Sequence, residues 1–416
     1  MTSAASSDSV VIIGAGHAGA TLAGLLRQQR FTGPITLLGD EHEPPYHRPP
    51  LSKKFADESM VQWLRPAGFY ADNRIDLLLG VRATRIDPHA RRVHLDNGEY
   101  RDYRTVVVAT GATPRTITVP GADTAGVSTL RTIADARTLR AALERTETLA
   151  VIGGGYVGME VAAVARARDI DVTVGEREDR VLARVASAEL SQRLTAYHQA
   201  RGTHIVTNFS PRAFETSDGS VTAVLGDDGS MIRCDHVLIG IGAVPNAELA
   251  EQCGVACDGG ILVDRAGHTN VDGVMAIGDV TRRPHDAIDG LYRLESIPSA
   301  VEQAKHAAAA ITGGDGGVHE TPWFWSDQFD LKLKIAGILE PGAQTVARGG
   351  ARSDSFALFH LRPDRTVCAV ETANSPKDFM AGKKLIADRA PVDPGALADQ
   401  RVSLRDVVGS PVRAGG

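Results

Sequence analysis

An α/β chain organised around two Rossmann-like dinucleotide-binding units is what this sequence predicts, on three observations. A β-branched run, Val10-Val11-Ile12-Ile13, opens directly into Gly14-Ala15-Gly16-His17-Ala18-Gly19 and then a helix-forming stretch, Thr21 to Arg30. The same order returns as Thr148 to Ile152, Gly153-Gly154-Gly155-Tyr156-Val157-Gly158 and Met159 to Arg168. Each copy is followed by a short strand that delivers an acid: Ile35 to Leu38 leads to Asp40, and Val172-Thr173-Val174 leads to Glu176. A lone GxGxxG is weak evidence. Two copies, each between strand and helix and each with an acid at the spacing of a ribose-binding carboxylate, are specific.

The physical reason is common to both. Glycines permit the tight turn and let the backbone approach a pyrophosphate, which rests on the amides of a helix N-terminus. The expected contacts are Gly14, Gly16, Ala18 and Gly19 for FAD, with Asp40 accepting from its adenosine ribose. For NADH they are Gly153, Gly155, Tyr156 and Gly158, with Glu176 on the ribose hydroxyls. Glu176 also repels a 2′-phosphate, so NADH is favoured over NADPH, against which Arg177 and Arg180 stand as nearby cations.

The rest of the chain divides around these units. Val237 to Ile241 closes the second, and the strand-like Ile261-Leu262-Val263 and Val274 to Asp279 mark a return to the first. The break Gly313-Gly314-Asp315-Gly316-Gly317 reads as a linker into a last region with strand-like runs at Leu331 to Ile335 and Phe356 to Leu361. The expected layout is an FAD-binding domain at 1–113 and 242–316, an NAD-binding domain at 114–241 and a C-terminal α+β domain at 317–416.

Composition narrows the function classes. A chain of 416 residues exceeds one core of ordinary size. Its net charge of -6 gives no reason to expect nucleic acid or an anionic membrane as partner. No apolar run approaches the roughly 18 residues of a membrane span, and Met1 to Ser9 lacks the pattern of a signal peptide, so the cytoplasm is the default. Cys234, Cys253, Cys257 and Cys368 include no CxxC, which argues against a zinc ribbon or a thioredoxin-type redox site.

Further motifs carry a resemblance: Pro45-Tyr46-His47-Arg48-Pro49-Pro50-Leu51-Ser52-Lys53, Ala109-Thr110-Gly111 with Pro114-Arg115, and Leu130-Arg131-Thr132. To these add Gly278-Asp279, Arg293 to Pro298 and Pro322-Trp323-Phe324-Trp325-Ser326-Asp327-Gln328. With them the chain resembles, from end to end, the NADH-dependent ferredoxin reductases that serve bacterial oxygenases. The departures, His47 and Gly175, concern the pocket shape around the adenosine ribose of NADH.

The resemblance implies the two-nucleotide fold of glutathione reductase followed by a C-terminal domain. It also implies site roles. Arg48, Ala83 and Arg131 become further FAD contacts, Arg131 being otherwise a surface residue. Asp279, at a Gly-Asp turn, is placed on the ribitol hydroxyls, unless it serves the turn alone. Ile297 offers a backbone amide to the pyrimidine end of the flavin.

Lys53 is a cation for the flavin N5 edge, the alternative being a solvated lysine. Glu160, a charge in an apolar helical stretch, meets the nicotinamide amide, pairs with Lys53 or simply favours the helix dipole. Trp325 walls the active site, and Trp323 does so or packs in the core.

The chemistry expected is hydride transfer from nicotinamide C4 to flavin N5. The first cysteine is Cys234, well outside the strand, glycine loop and helix of the first dinucleotide unit, so no thiol there takes the electrons onward. They must leave the protein, and the resemblance implies a two-iron ferredoxin that feeds a monooxygenase or dioxygenase. A rubredoxin or quinone acceptor, or an NADH-sensing flavoprotein, are the alternatives. The basic stretch Arg282, Arg283 and Arg293 is expected to face an acidic ferredoxin, or else to be a solvated loop.

Overall fold

In the computed structural model the described residues are 8–285, 288–317, 320–350 and 353–408. They form two compact units: residues up to His47 with Val61–Thr113 and Ala243–Glu320, and Arg48–Met60 with Pro114–Gly242 and the residues from Thr321 onward.

The first unit is built on a five-stranded parallel sheet. Its order is Val274–Ala276, Thr105–Val108, Val10–Ile13, Ile35–Gly39 and Ile75–Leu79. The central strands are buried on both faces, which is why they read as unbroken apolar runs rather than as alternation. On one face the helices His17–Gln28 and Ile297–Thr312 pack through Ala20, Ala23, Ala300, Ala304, Ala307 and Ala308, whose small side chains allow close approach. The opposite face meets Val93, Leu95, Tyr103 and Val263.

The second unit repeats the arrangement with a sheet ordered Thr203–Val206, Asp171–Gly175, Thr148–Ile152, His236–Ile239 and Val127–Ser128, again all parallel. To this it adds a five-stranded antiparallel sheet ordered Trp323–Gln328, Leu331–Gly337, Val367–Ala373, Phe356–Leu361 and Gln344–Arg348. The helix Pro376–Asp388 covers it through Phe379, Leu385 and Ile386. The fold class is the one expected. Both nucleotide-loop helices start earlier than the sequence suggests, at His17 and Tyr156, because the last residues of each glycine loop already form the first helical turn. Among the described residues no helix is long and apolar enough to cross a membrane.

Two histidines of the second unit are buried as neutral groups. His198 lies between Gln328 and Thr203, and His236 faces Ser128 Oγ at 2.8 Å. Burial pushes both down from an ordinary 6.5 to about 4. The folded chain therefore refuses protons that the unfolded chain accepts, so stability is complete above pH 6.5 and declines as the pH falls toward 4. Each histidine is expected to cost about 2 kcal/mol of stability between pH 7 and pH 5. Urea denaturation at the two pH values checks this: His236→Gln should reduce the difference, and an unchanged difference would contradict it.

Candidate functional site

The first glycine loop assigns a separate task to each glycine. Gly14 has φ +116°, and a Cβ on it would stand 2.2 Å from the Ala109 carbonyl oxygen. A Cβ on Gly19 would lie 2.0 Å from the Gly14 carbonyl oxygen, so this residue brings the helix onto its own strand. At Gly16 a Cβ would meet nothing within 4 Å. The chain has no internal reason for glycine there, and the open face above the helix N-terminus suits a pyrophosphate approaching the backbone. The loop therefore fits the phosphates of FAD.

Other expected FAD residues gather in the same unit. Ala18 is buried, and a Cβ on Gly278 would be 3.0 Å from its methyl, so the Gly278-Asp279 turn packs on the loop, with Asp279 half-buried beside it. Gln303 on the helix Ile297–Thr312 holds that turn, its side-chain oxygen accepting from Gly278 N (2.9 Å) and Thr281 Oγ1 (2.7 Å). Sequence reasoning missed Gln303, since a residue of an alanine-rich helix carries no local sign of a partner 25 positions away. Ile297 begins the helix after the Ser296 cap, so its amide has no intrahelical acceptor. Asp40 is exposed and pairs with Arg82 at 3.1 Å, and Ala83 follows on the strand Ala83–Asp87. His17 Nε2 and His47 Nδ1 are 3.1 Å apart, which ties His47 to the helix that follows the loop.

The second loop repeats the division of labour. Gly153 has φ +107° and would meet Gly240 O at 2.5 Å; Gly158 would meet Gly153 O at 2.2 Å; Gly155 finds its nearest neighbour only at 3.9 Å. Glu176 is fixed beside it, accepting from Gly154 N at 2.6 Å and Glu178 N at 2.9 Å. Gly175 is required because Phe209 fills the space, 2.7 Å from where a Cβ would be. Arg177 pairs with Glu178, and Arg180 donates to the carbonyls of Ala183, Ala186 and Ser187. The Tyr156 ring packs edge-on against Phe324, with centroids 4.9 Å apart. Its buried hydroxyl has no hydrogen-bond partner among the described residues, and burial, then Glu371 and Glu160, hold it well above the ordinary tyrosine pKa. An orphan donor at the first residue of this helix fits a site completed by a ligand.

One turn into that helix, Glu160 is 3% exposed and holds a complete set of donors. Lys53 Nζ lies 2.8 Å from Oε1, Ser326 donates to Oε1 at 2.6 Å, and Ser52 donates to Oε2 at 2.5 Å. The short helix Pro50–Lys53, set by Pro49 and Pro50, presents Ser52 and Lys53 together. Of the roles open to Glu160, pairing with Lys53 is the one observed. Ser52 and Ser326 were not singled out from sequence, although both lie inside the motifs quoted for the resemblance. Arg48 donates to the Arg131 carbonyl at 2.9 Å, so these two meet within the same unit. Trp323 and Trp325 share a face, with centroids 5.8 Å apart, but Trp323 also packs edge-on against Phe379 at 5.7 Å and joins the C-terminal core.

One expectation is overturned. Arg283 does not face solvent: it is 2% exposed and bonded to Glu302 at 2.7 Å. The segment Thr281–His285 is a strand, not a loop, and its alternation turns Thr281, Arg283 and His285 inward. Arg282 and Arg293 pair with Asp258 and Glu295, respectively.

All four cysteines are free thiols. Burial raises Cys234 to about 12 and Cys257 to about 11, so neither is poised as a thiolate. Against this geometry, residues 8–308 match the family model described as pyridine nucleotide-disulphide oxidoreductase, and residues 323–408 match the reductase C-terminal model.

The chain belongs to the pyridine nucleotide-disulphide oxidoreductases.

Within that family it keeps company with ferredoxin reductases. It is 41% identical to rhodocoxin reductase from Rhodococcus erythropolis, over 95% of this chain and 93% of that one. It is 38% identical to the ferredoxin–NAD(+) reductase component of an anthranilate 1,2-dioxygenase system from Burkholderia cepacia, over 96% and 99%. The crystal structure of a covalent putidaredoxin reductase–putidaredoxin complex matches with a TM-score of 0.93 at 38% identity, over 96% of this chain and 98% of that one. The reductase thus carries the family's two nucleotide loops without a cysteine beside the first of them.

Proposed function

We propose that the chain is an NADH:ferredoxin reductase that carries electrons from NADH through FAD to a two-iron ferredoxin, which feeds a monooxygenase or dioxygenase. The observation that carries this reading is the buried Lys53–Glu160 pair, set one turn beyond the NADH loop in a chain with no cysteine positioned to take electrons onward. Bound FAD supplies the conversion of a two-electron donor into one-electron steps.

The residues of this chain supply the surroundings. The two glycine loops hold the pyrophosphates and so fix where each reactive ring falls. Glu176, anchored by two amides, sets a negative charge where a 2′-phosphate would have to fit, and Arg177 and Arg180 are engaged elsewhere, which supports NADH over NADPH. Glu160 holds the Lys53 ammonium in place through their ion pair, and Lys53 provides a fixed positive charge for the flavin as it takes up electrons. Arg48, Arg131, Asp279 and Ile297 serve as further FAD contacts, and Trp325 as a wall of the nicotinamide site. Four free thiols and the electron-transfer role suit a cytoplasmic setting.

With Arg283 buried, the acceptor surface is better sought on the C-terminal sheet. Trp325 lies opposite Lys334 and Asp327 opposite Lys332. Lys334 also reaches the Phe379 ring, and Lys383 reaches the Trp323 ring. Lys334 and Lys383 beside the two tryptophans suit a small acidic iron–sulfur protein, while Lys332 is paired with Asp327. Steady-state assays of the Lys334→Glu, Lys383→Glu double variant test the whole reading. KM for an acidic two-iron ferredoxin should rise on the order of tenfold at low salt and less at high salt, with NADH–ferricyanide activity intact. An unchanged KM would remove this face from the account, and failure to reduce any ferredoxin would remove the function.

A further inference from the structure

The strand Trp323–Gln328 has two faces with different tasks. Residues 323, 325 and 327 carry the tryptophans and Asp327; Phe324, Ser326 and Gln328 turn the other way. Phe324 meets the Tyr156 ring, while Ser326 and Gln328 are wholly buried and joined by hydrogen bonds. Gln328 Nε2 donates to Ser326 Oγ at 3.2 Å, and Gln328 Oε1 lies 2.9 Å from His198 Nε2. His198 Nδ1 in turn lies 3.3 Å from Thr203 Oγ1. The line runs unbroken from Thr203 through His198, Gln328 and Ser326 to Glu160 and Lys53.

Donor and acceptor chemistry gives this line one direction. An ionised Glu160 can only accept, so Ser326 must spend its single proton on it. The remaining capacity of Ser326 is then for accepting, which the amide group of Gln328 meets and its oxygen could not. The Gln328 oxygen must therefore face a donor, which makes His198 carry its proton on Nε2 and accept from Thr203 on Nδ1. A protonated His198 would have no acceptor at Nδ1 except the Thr203 oxygen, and burial keeps His198 neutral, with its pKa down to about 4. Every member has its partners, as a buried network requires if it is to fix one geometry.

We propose that Ser326 and Gln328 are positioning residues for the Lys53–Glu160 pair: the C-terminal sheet reaches back to the NADH-binding helix and keeps Glu160 aimed at Lys53. This rests on the reading of Lys53 as the fixed cation for the reducing flavin. It gives the Ser-Asp-Gln half of the tryptophan motif a role separate from that of the tryptophans. It also makes the C-terminal sheet part of the catalytic apparatus as well as a surface for a partner.

The test is a double-mutant cycle on the holoenzyme, with Ser326→Ala, Lys53→Met and the pair of substitutions together. Three quantities are read: the rate of flavin reduction by NADH in stopped flow, the midpoint potential of the bound flavin by dye equilibration, and KM for NADH. Ser326→Ala is expected to slow reduction on the order of tenfold and move the potential to more negative values, with KM for NADH changed less than about twofold. In the Lys53→Met background the same substitution should add almost nothing. Ser326→Thr, which keeps the hydroxyl, should recover most of the rate. Gln328→Glu, which accepts at both ends, should draw the Ser326 proton away from Glu160 and reproduce the Ser326→Ala result with Ser326 in place. Full and independent effects of Ser326→Ala in both backgrounds, or none in the wild-type background while Lys53→Met is slow, would overturn the positioning role alone. A Lys53→Met variant that reduces its flavin at the wild-type rate and potential would overturn the underlying reading of Lys53.

Discussion

Replacing Lys53 with methionine is expected to slow reduction of the flavin by NADH by roughly two to three orders of magnitude, the range found when one fixed electrostatic donor is removed from an enclosed site. Lys53 is only 12% exposed, and its partner Glu160 only 3%, so water cannot replace the missing charge. Methionine keeps an unbranched apolar stem of nearly the same reach and leaves Glu160 with two hydroxyl donors but no counter-charge. Breaking a buried pair from one side typically costs about 3 to 5 kcal/mol, so thermal stability should fall as well. The Lys53→Met, Glu160→Gln double variant separates the two effects. Removing both charges should recover most of the lost stability, measured by thermal unfolding, and almost none of the lost rate, measured in stopped flow. Recovery of rate together with stability would mean that Lys53 acts only through the fold.

The second large effect is expected at Gly16. Valine there should leave the protein folded and free of FAD, because its side chain would enter the open space reserved for the pyrophosphate. Losing two or so charge-assisted hydrogen bonds to the phosphates costs about 4 kcal/mol, which lowers FAD affinity on the order of a thousandfold. Gly14→Ala should fail differently, since its Cβ would lie 2.2 Å from the Ala109 carbonyl oxygen at φ +116° and so damages the loop itself. Thermal unfolding with and without added FAD distinguishes them. The wild-type transition should rise with FAD; Gly16→Val should unfold cooperatively at a temperature that ignores FAD; Gly14→Ala should be destabilised throughout. A Gly16→Val protein that retained FAD at wild-type affinity would contradict the assignment of the loop.

How much of this was legible in the sequence depended on the distance over which each feature is encoded. The glycine loops are local: strand, turn and helix lie within twenty residues, and the turn itself forces glycine at Gly14 and Gly153. The fold class followed from finding that pattern twice. The Lys53–Glu160 pair was legible as one of several options, because an acid in an apolar helix must find a partner, and only the fold selected which.

The rest of the site is non-local. Ser326 meets Glu160 across 166 positions and His198 meets Gln328 across 130, and nothing near a serine or a glutamine announces such a contact. Gln303 was missed for the same reason. Arg283 was misread because Thr281-Arg282-Arg283-Pro284-His285 carries no apolar alternation; its inward face is polar, with Arg283 held by Glu302 and Thr281 by Gln303 from the neighbouring helix.

Whether electrons leave this chain singly for an iron–sulfur protein rather than passing to a thiol is read most directly by anaerobic double-mixing stopped flow. The holoenzyme is mixed with one equivalent of NADH, then with an oxidised two-iron ferredoxin, and the flavin and cluster absorbances are followed together. Rapid bleaching of the flavin is expected, then reoxidation in two separable steps with one ferredoxin reduced per electron and no change in free thiol content. A reduced flavin that persists as a long-lived charge-transfer complex in the presence of ferredoxin, and is discharged only by a quinone or not at all, would contradict it.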